Sequence, residues 1–188
     1  MKEIEIKKYK PCKEAFIFRQ KYNSFEDAWD ACPRGDWMLW IAKRIDVDLK
    51  TLTKAKALCA LTVRHLMKDE SSINACEIAL KFSNNEATID DLNAAAAIAA
   101  DVAATYADAA AVATYDAAAA AAIAADAADA AAYAASDAAA ASDAATYADA
   151  AASDADTSDA IIKNRLKTAD ICRDVLTKEV FEKLKEVE

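Results

Sequence analysis

Three observations on this 188-residue chain predict an all-α fold. One glycine and two prolines are too few for the turns that a β protein needs. Serine, threonine and aspartate recur just ahead of apolar stretches, where their side-chain oxygens can cap helix starts. Between residues 94 and 160, 40 of 67 residues are alanine with no glycine or proline, so the strongest helix former dominates more than a third of the chain.

Taken in order, residues 1–9 alternate apolar and charged side chains around Ile4 and Ile6, which predicts a short strand or an extended arm. After Pro11, residues 12–22 read as a short helix with Phe16 and Ile17 facing inward. Ser24-Phe25-Glu26-Asp27 has the form of a capping box, with Asp in place of the usual Glu. It opens a helix through Trp29 that stops at Cys32-Pro33. Arg34-Gly35 is expected to make the turn, and Asp36 to cap a helix over 37–45. Leu49, Leu52, Ala55, Cys59, Val63, Leu66 and Met67 follow three-and-four spacing, predicting an amphipathic helix of about five turns. Ser71 or Ser72 is expected to cap the next helix, with Ile73, Cys76, Ile78, Leu80 and Phe82 as its apolar content and Asn84-Asn85 as its end. A stripe from Ile161, Ile162 and Leu166 through Ala169, Cys172, Leu176 and Val180 to Leu184 predicts a closing helix from 160 to about 186.

The alanine region opens on a second box, Thr88-Ile89-Asp90-Asp91. One helix across 94–160 would be about 100 Å long, against roughly 40 Å for a compact domain of this length. Ile98, Val102 and Tyr106 share one arc of such a helix, but Tyr115 and Tyr133 lie on nearly the opposite side. Several shorter helices are therefore expected, restarting at Thr105, Thr114, Ser136, Ser142, Thr146 or Ser153. The expected architecture is one domain over 1–188, a compact multi-helix array with tightly packed, antiparallel Ala-rich helices. Residues 1–87 form an N-terminal helical part with a tryptophan corner, 88–160 the Ala/Asp-rich helices, and 161–188 the closing helix.

Charge is segregated along the chain. The stretch 82–162 holds 14 acids and no Lys, Arg or His, leaving 23 bases and 18 acids elsewhere. A surface of one sign repels nucleic acid and attracts basic proteins. Asp101, Asp108, Asp116, Asp126, Asp129, Asp137, Asp143 and Asp149 are the candidate partner-binding residues. The charged start of the chain lacks the apolar core of a signal peptide, and no run of 18 strongly apolar residues exists. A cytoplasmic protein without membrane contact is expected.

Chemistry-bearing motifs are few. Cys12, Cys32, Cys59, Cys76 and Cys172 are widely spaced, none at CxxC spacing, and His65 is the one histidine, so buried reduced thiols are expected rather than disulfides or zinc. Asp126 and Asp129 share a helix face, where bare carboxylates serve solubility more often than metal binding. His65 lies among Arg64, Met67 and Lys68 and has no nucleophile partner by any signature, and one glycine cannot build a phosphate loop. No catalytic residue, metal or cofactor is expected.

Residues 29–40 are the richest segment, with three tryptophans and the single glycine. The indoles either anchor the core against small alanines or line an aromatic pocket in which Arg34 and Asp36 are the polar groups. Arg34-Gly35-Asp36 also spells an integrin-recognition tripeptide, a coincidence in a chain with no export signal.

The corner Cys32-Pro33-Arg34-Gly35-Asp36-Trp37-Met38-Leu39-Trp40, the Ala tract, and Ala169-Asp170-Ile171-Cys172-Arg173 in the closing helix resemble the immunity proteins of bacterial polymorphic toxin systems, the immunity-five-like family found in bacterial and prophage genomes. The likeness covers about 30–60 and 160–175, with 89–160 alike in composition only. It implies an all-helical, non-enzymatic inhibitor that neutralises a protein partner, here through the acidic helical surface, and a basic toxin or defence nuclease as that partner. The alternative is a phage anti-defence protein whose acidic face mimics nucleic acid. Residues 135–146 resemble helical Ala-rich antifreeze peptides, but of the spacings considered only Thr146 to Thr157 has the eleven-residue interval such a face needs, so ice binding ranks last.

Overall fold

The computed structural model describes residues 6–67, 70–107 and 157–186. Among them the chain forms α1 (Lys13–Arg19), α2 (Phe25–Asp30), α3 (Gly35–Arg44), α4 (Leu49–Leu61), α5 (Glu70–Ser83), α6 (Ile89–Ala107) and α7 (Thr157–Glu186). Short 3-10 turns cover Ile6–Tyr9 and Arg64–Leu66, and no strand is present among the described residues. The fold is all-α.

Local chemistry sets most helix ends. Ser24 Oγ accepts the Asp27 N–H at 2.9 Å to start α2, and Asp48 accepts from Lys50 and Thr51 at 2.9 and 3.2 Å to start α4. At α6 both halves of the box are made: Thr88 Oγ1 takes the Asp91 N–H at 3.2 Å, while the Asp91 carboxylate takes the Thr88 N–H at 2.8 Å. The Thr88 N–H and then the Thr88 hydroxyl, which donates to the same carboxylate at 2.7 Å, hold the Asp91 carboxyl below its usual range. Two helices end in a left-handed residue that is not glycine. Asp46, with φ 57°, follows α3, where the Asp46 and Val47 N–H groups return to the Lys43 and Ala42 carbonyls. Asn85, with φ 64°, follows α5, where Asn85 and Glu86 return to Phe82 and Lys81. Both are Schellman ends, and Asx side chains tolerate that conformation best after glycine.

Helix α4 is the hub. It packs against α5 on one side and α7 on another, while α5 also packs on α6 and α3 on α7. Leu52, Ala55 and Cys59 join Met38, Leu39, Ala169, Cys172 and Leu176 in one core. Ala57, Ala60 and Val63 join Cys76, Ala79, Phe82 and Leu92 in a second. Ala75 meets Ala95 and Ala99 at the α5–α6 seam, where small side chains let the two helices approach closely; the expected packing of Ala-rich helices on one another rests on residues 108–156 and lies outside the described residues. Residues 108–156, with the expected restarts at Thr114, Ser136, Ser142, Thr146 and Ser153, lie outside the described residues.

Several sequence expectations are corrected. Residues 6–9 form a 3-10 turn, not a strand. In α1 the buried side chains are Ala15 and Arg19; Phe16 is half-buried and Ile17 exposed, because the helix meets the aromatic corner with its other edge. Helix α4 ends at Leu61 instead of running about five turns, with the Thr62 hydroxyl donating to the Cys59 carbonyl at 2.7 Å and lying 2.9 Å from Asn164. Helix α5 already begins at Glu70, so Ser71 and Ser72 lie inside it. Helix α6 continues through Thr105 without restarting there. Ile98, Ile162 and Leu166 are exposed, although each shares helical spacing with buried residues.

Candidate functional site

The corner between α2 and α3 is held by the closing helix. The Arg173 guanidinium on α7 donates to the carbonyls of Asp30 at 3.2 Å and Cys32 at 2.8 Å, satisfying oxygens freed where α2 ends, and to Asp170 Oδ1 at 2.6 Å. The Cys172 thiol donates to the Gly35 carbonyl at 3.6 Å. Thus the two motifs quoted above from 32–40 and 169–173 are in direct contact. Gly35 has no positive φ, so its role is not the turn expected from sequence. A Cβ there would stand 2.7 Å from Thr168 Oγ1 and 2.8 Å from the Thr168 Cβ and carbonyl carbon, so only glycine lets α3 start this close to α7.

Asp36 does not cap α3 either. The helix begins at Gly35 after an extended Arg34 whose side chain makes no cap bond. Asp36, in the first turn, instead accepts Arg34 Nε and Nη2 at 2.9 and 2.5 Å, a bidentate pair that also suits the positive helix end. Both groups of the Arg-Gly-Asp tripeptide are therefore engaged with each other.

The three indoles have different fates. Trp29 is core: it is 3% exposed, stacks with Phe25, meets Phe181 edge-on, and donates Nε1–H to Thr177 Oγ1 at 2.8 Å. Trp37 and Trp40 are half-buried. The Arg34 guanidinium lies over Trp37 at 4.9 Å and Arg44 over Trp40 at 5.9 Å. They form the wall between two spaces. On one side is a cleft of about 510 Å³, lined by Lys10, Cys12, Glu14, Arg34, Asp36 and Arg44 among others. On the other side is a smaller apolar pocket of about 50 Å³, also open to solvent, that Phe18, Arg19, Phe25 and Trp29 help to line. Ala15, Trp37 and Trp40 border both.

Sequence reasoning found Arg34, Asp36, Trp37 and Trp40 but missed Lys10, Cys12, Arg19 and Arg44. Arg44 was within reach, since Trp37, Trp40 and Arg44 follow at three and four residues along one face of α3. Lys10 and Cys12 arrive through the chain's path before α1, which no local pattern signals.

Four of the five cysteines are buried as expected, while Cys12 is exposed at the cleft, its sulfur accepting the Ala15 N–H at 3.4 Å. Burial pushes the Cys32 thiol up to about 11 and the Cys76 thiol up to about 12. Cys172, raised well above its ordinary value by burial and then by the Cys59 thiol 3.9 Å away, is likewise protonated. Such thiols are weak nucleophiles. No group of three or more His, Cys, Asp or Glu side chains suited to a metal ion occurs among the described residues, nor does a helix long and apolar enough to cross a membrane.

Of the acidic candidates, Asp101 lies on α6, while Asp108, Asp116, Asp126, Asp129, Asp137, Asp143 and Asp149 lie outside the described residues. Compared with known proteins, the chain matches no family model, no curated protein and no solved structure.

Proposed function

We propose that this chain is a non-enzymatic, cytoplasmic protein-binding inhibitor of the immunity-protein kind, presenting its acidic Ala-rich region to a basic protein such as a toxin or defence nuclease. The observation that carries this reading is the stretch 82–162, with 14 acids and no base. What is described of that stretch agrees with an outward-facing acidic surface. Glu86, Asp90 and Asp91 are all exposed, whereas α6 buries Leu92, Ala95, Ala96 and Ala99. A field of one sign speeds encounter with an oppositely charged partner more than it sets affinity.

The test is capture from the native host with wild-type protein and with a variant in which Asp108, Asp116, Asp126 and Asp137 are all Asn. The reading expects a basic protein captured by the wild type, with association that slows as salt rises toward about 0.15 M, where screening acts within about 8 Å. The variant should associate about tenfold more slowly with helix content unchanged. Equal rates for both proteins, insensitive to salt, would remove the proposal. Displacement of the chain from its partner by duplex DNA would instead support the nucleic-acid-mimic alternative.

A further inference from the structure

We propose that the two-chambered cleft at the tryptophan corner is a second binding site, of opposite sign to the acidic region, for an acidic peptide segment of a partner protein with an apolar anchor side chain. Several observations converge on this assignment. Arg19 is 7% exposed, donates Nη1 to the Tyr22 carbonyl at 2.8 Å, and its buried Nε has no hydrogen-bond partner among the described residues. A buried donor left unpaired is costly, and the side chain that carries it puts a positive charge into the wall of the apolar pocket. Arg19 lines the smaller pocket, whose remaining walls are apolar and whose volume of about 50 Å³ suits the tip of one side chain.

At the rim, Lys10 and Arg44 have no carboxylate partner among the described residues. Asp36 is already held by Nε and Nη2 of Arg34, which leaves Glu14 as the other acid lining the cleft among the described residues. A cleft of about 510 Å³ is also large enough for several residues of extended chain. Arg34 and Arg44 each cover a face of Trp37 and Trp40, so the rings are engaged as cation-bearing walls and are less open to a stacked base. An apolar anchor in a desolvated pocket ringed by charge-assisted contacts is the usual form of an interface hot spot.

This proposal stands apart from the acidic-surface reading. Lys10→Gln with Arg44→Gln leaves residues 82–162 intact, and the four Asp→Asn changes leave the cleft intact, so failure of one does not imply failure of the other. The experiment uses the full chain and a fluorescein-labelled pentapeptide, leucine flanked by glutamates. Anisotropy should show saturable binding below about 1 mM at low salt. The glutamine counterpart should fail to bind, and glycine in place of leucine should weaken binding about threefold or more. The Lys10→Gln/Arg44→Gln protein, checked for unchanged helix content, should bind about tenfold more weakly, and the bound peptide should shield Cys12 from iodoacetamide. No saturation by about 1 mM, equal binding by the double variant, or unaltered Cys12 labelling would overturn the site. Displacement by free citrate at equal concentration, or tighter binding of oligo-dT, would overturn the assignment to an acidic peptide.

Discussion

Gly35 and Thr168 sit so close that no side chain fits between them: a Cβ on Gly35 would fall 2.7 Å from the threonine Oγ1 and 2.8 Å from its carbonyl carbon. The chain's single glycine is thus placed where two helices touch, while the left-handed ends of α3 and α5 fall to Asp46 and Asn85. Gly35→Ala should lower stability by about 1–3 kcal/mol in urea unfolding, since part of the obstruction is backbone that cannot rotate away. Adding Thr168→Ala should recover only part of that loss. An unchanged midpoint for Gly35→Ala would show that α3 can shift freely on α7.

The tryptophans should separate by mutation. Trp29→Ala removes a nearly fully buried indole and its bond to Thr177, and is expected to cost about 3–5 kcal/mol. Trp40→Ala, at a half-buried position on the cleft wall, should cost about 1–2 kcal/mol. Thermal melts of the two variants with equal losses would contradict the division of the corner into core and cleft.

Thiol labelling reads the fold directly. Under native conditions iodoacetamide should modify Cys12 alone, with Cys32, Cys59, Cys76 and Cys172 reacting only after denaturation. Intact-mass spectrometry showing two or more rapid adducts on folded protein would mean that the core around α4 and α7 opens.

High pH should destabilise the protein through the same thiols. Cys32 and Cys76 have folded values of about 11 and about 12 against an ordinary 9.0, so above pH 9 the unfolded chain loses protons that the folded chain keeps. Stability is then full below about pH 9 and falls as pH rises toward 11 and beyond. Cys76→Ala should flatten that fall in melting temperature; an identical pH profile for the variant would place the effect elsewhere.

At the end of α3, Asp46→Gly should stabilise by about 0.5–1 kcal/mol, because relief of the left-handed backbone cost of about 1–2 kcal/mol exceeds the added unfolded-state entropy of about 0.4–1 kcal/mol. Asp46 is exposed, so chemical denaturation reads the backbone effect with little side-chain loss.

What residues 6–67, 70–107 and 157–186 reveal about helix existence was legible because capping and propensity act within a few residues. The Thr88–Asp91 box, the Ser24 cap and the Asn84-Asn85 stop are all local chemistry, and each stands where the residue types indicate. The same locality explains the errors. Asp36 has the composition of a cap, yet Arg34 two residues earlier offers it a bidentate partner, and Gly35 is helical because α7 needs its missing side chain.

The sequence alone therefore determined the all-α class, most helix starts and stops, and the segregation of acid from base. Only the tertiary structure decided that Trp29 is core while Trp37 and Trp40 wall a cleft, that Ile162 and Leu166 face outward, and that Lys10, Cys12, Arg19 and Arg44 gather at one corner. The physical reason is range. Backbone capping is satisfied within one turn, whereas burial and close approach depend on groups such as Gly35 and Cys172, which lie 137 residues apart and meet only once the chain has folded.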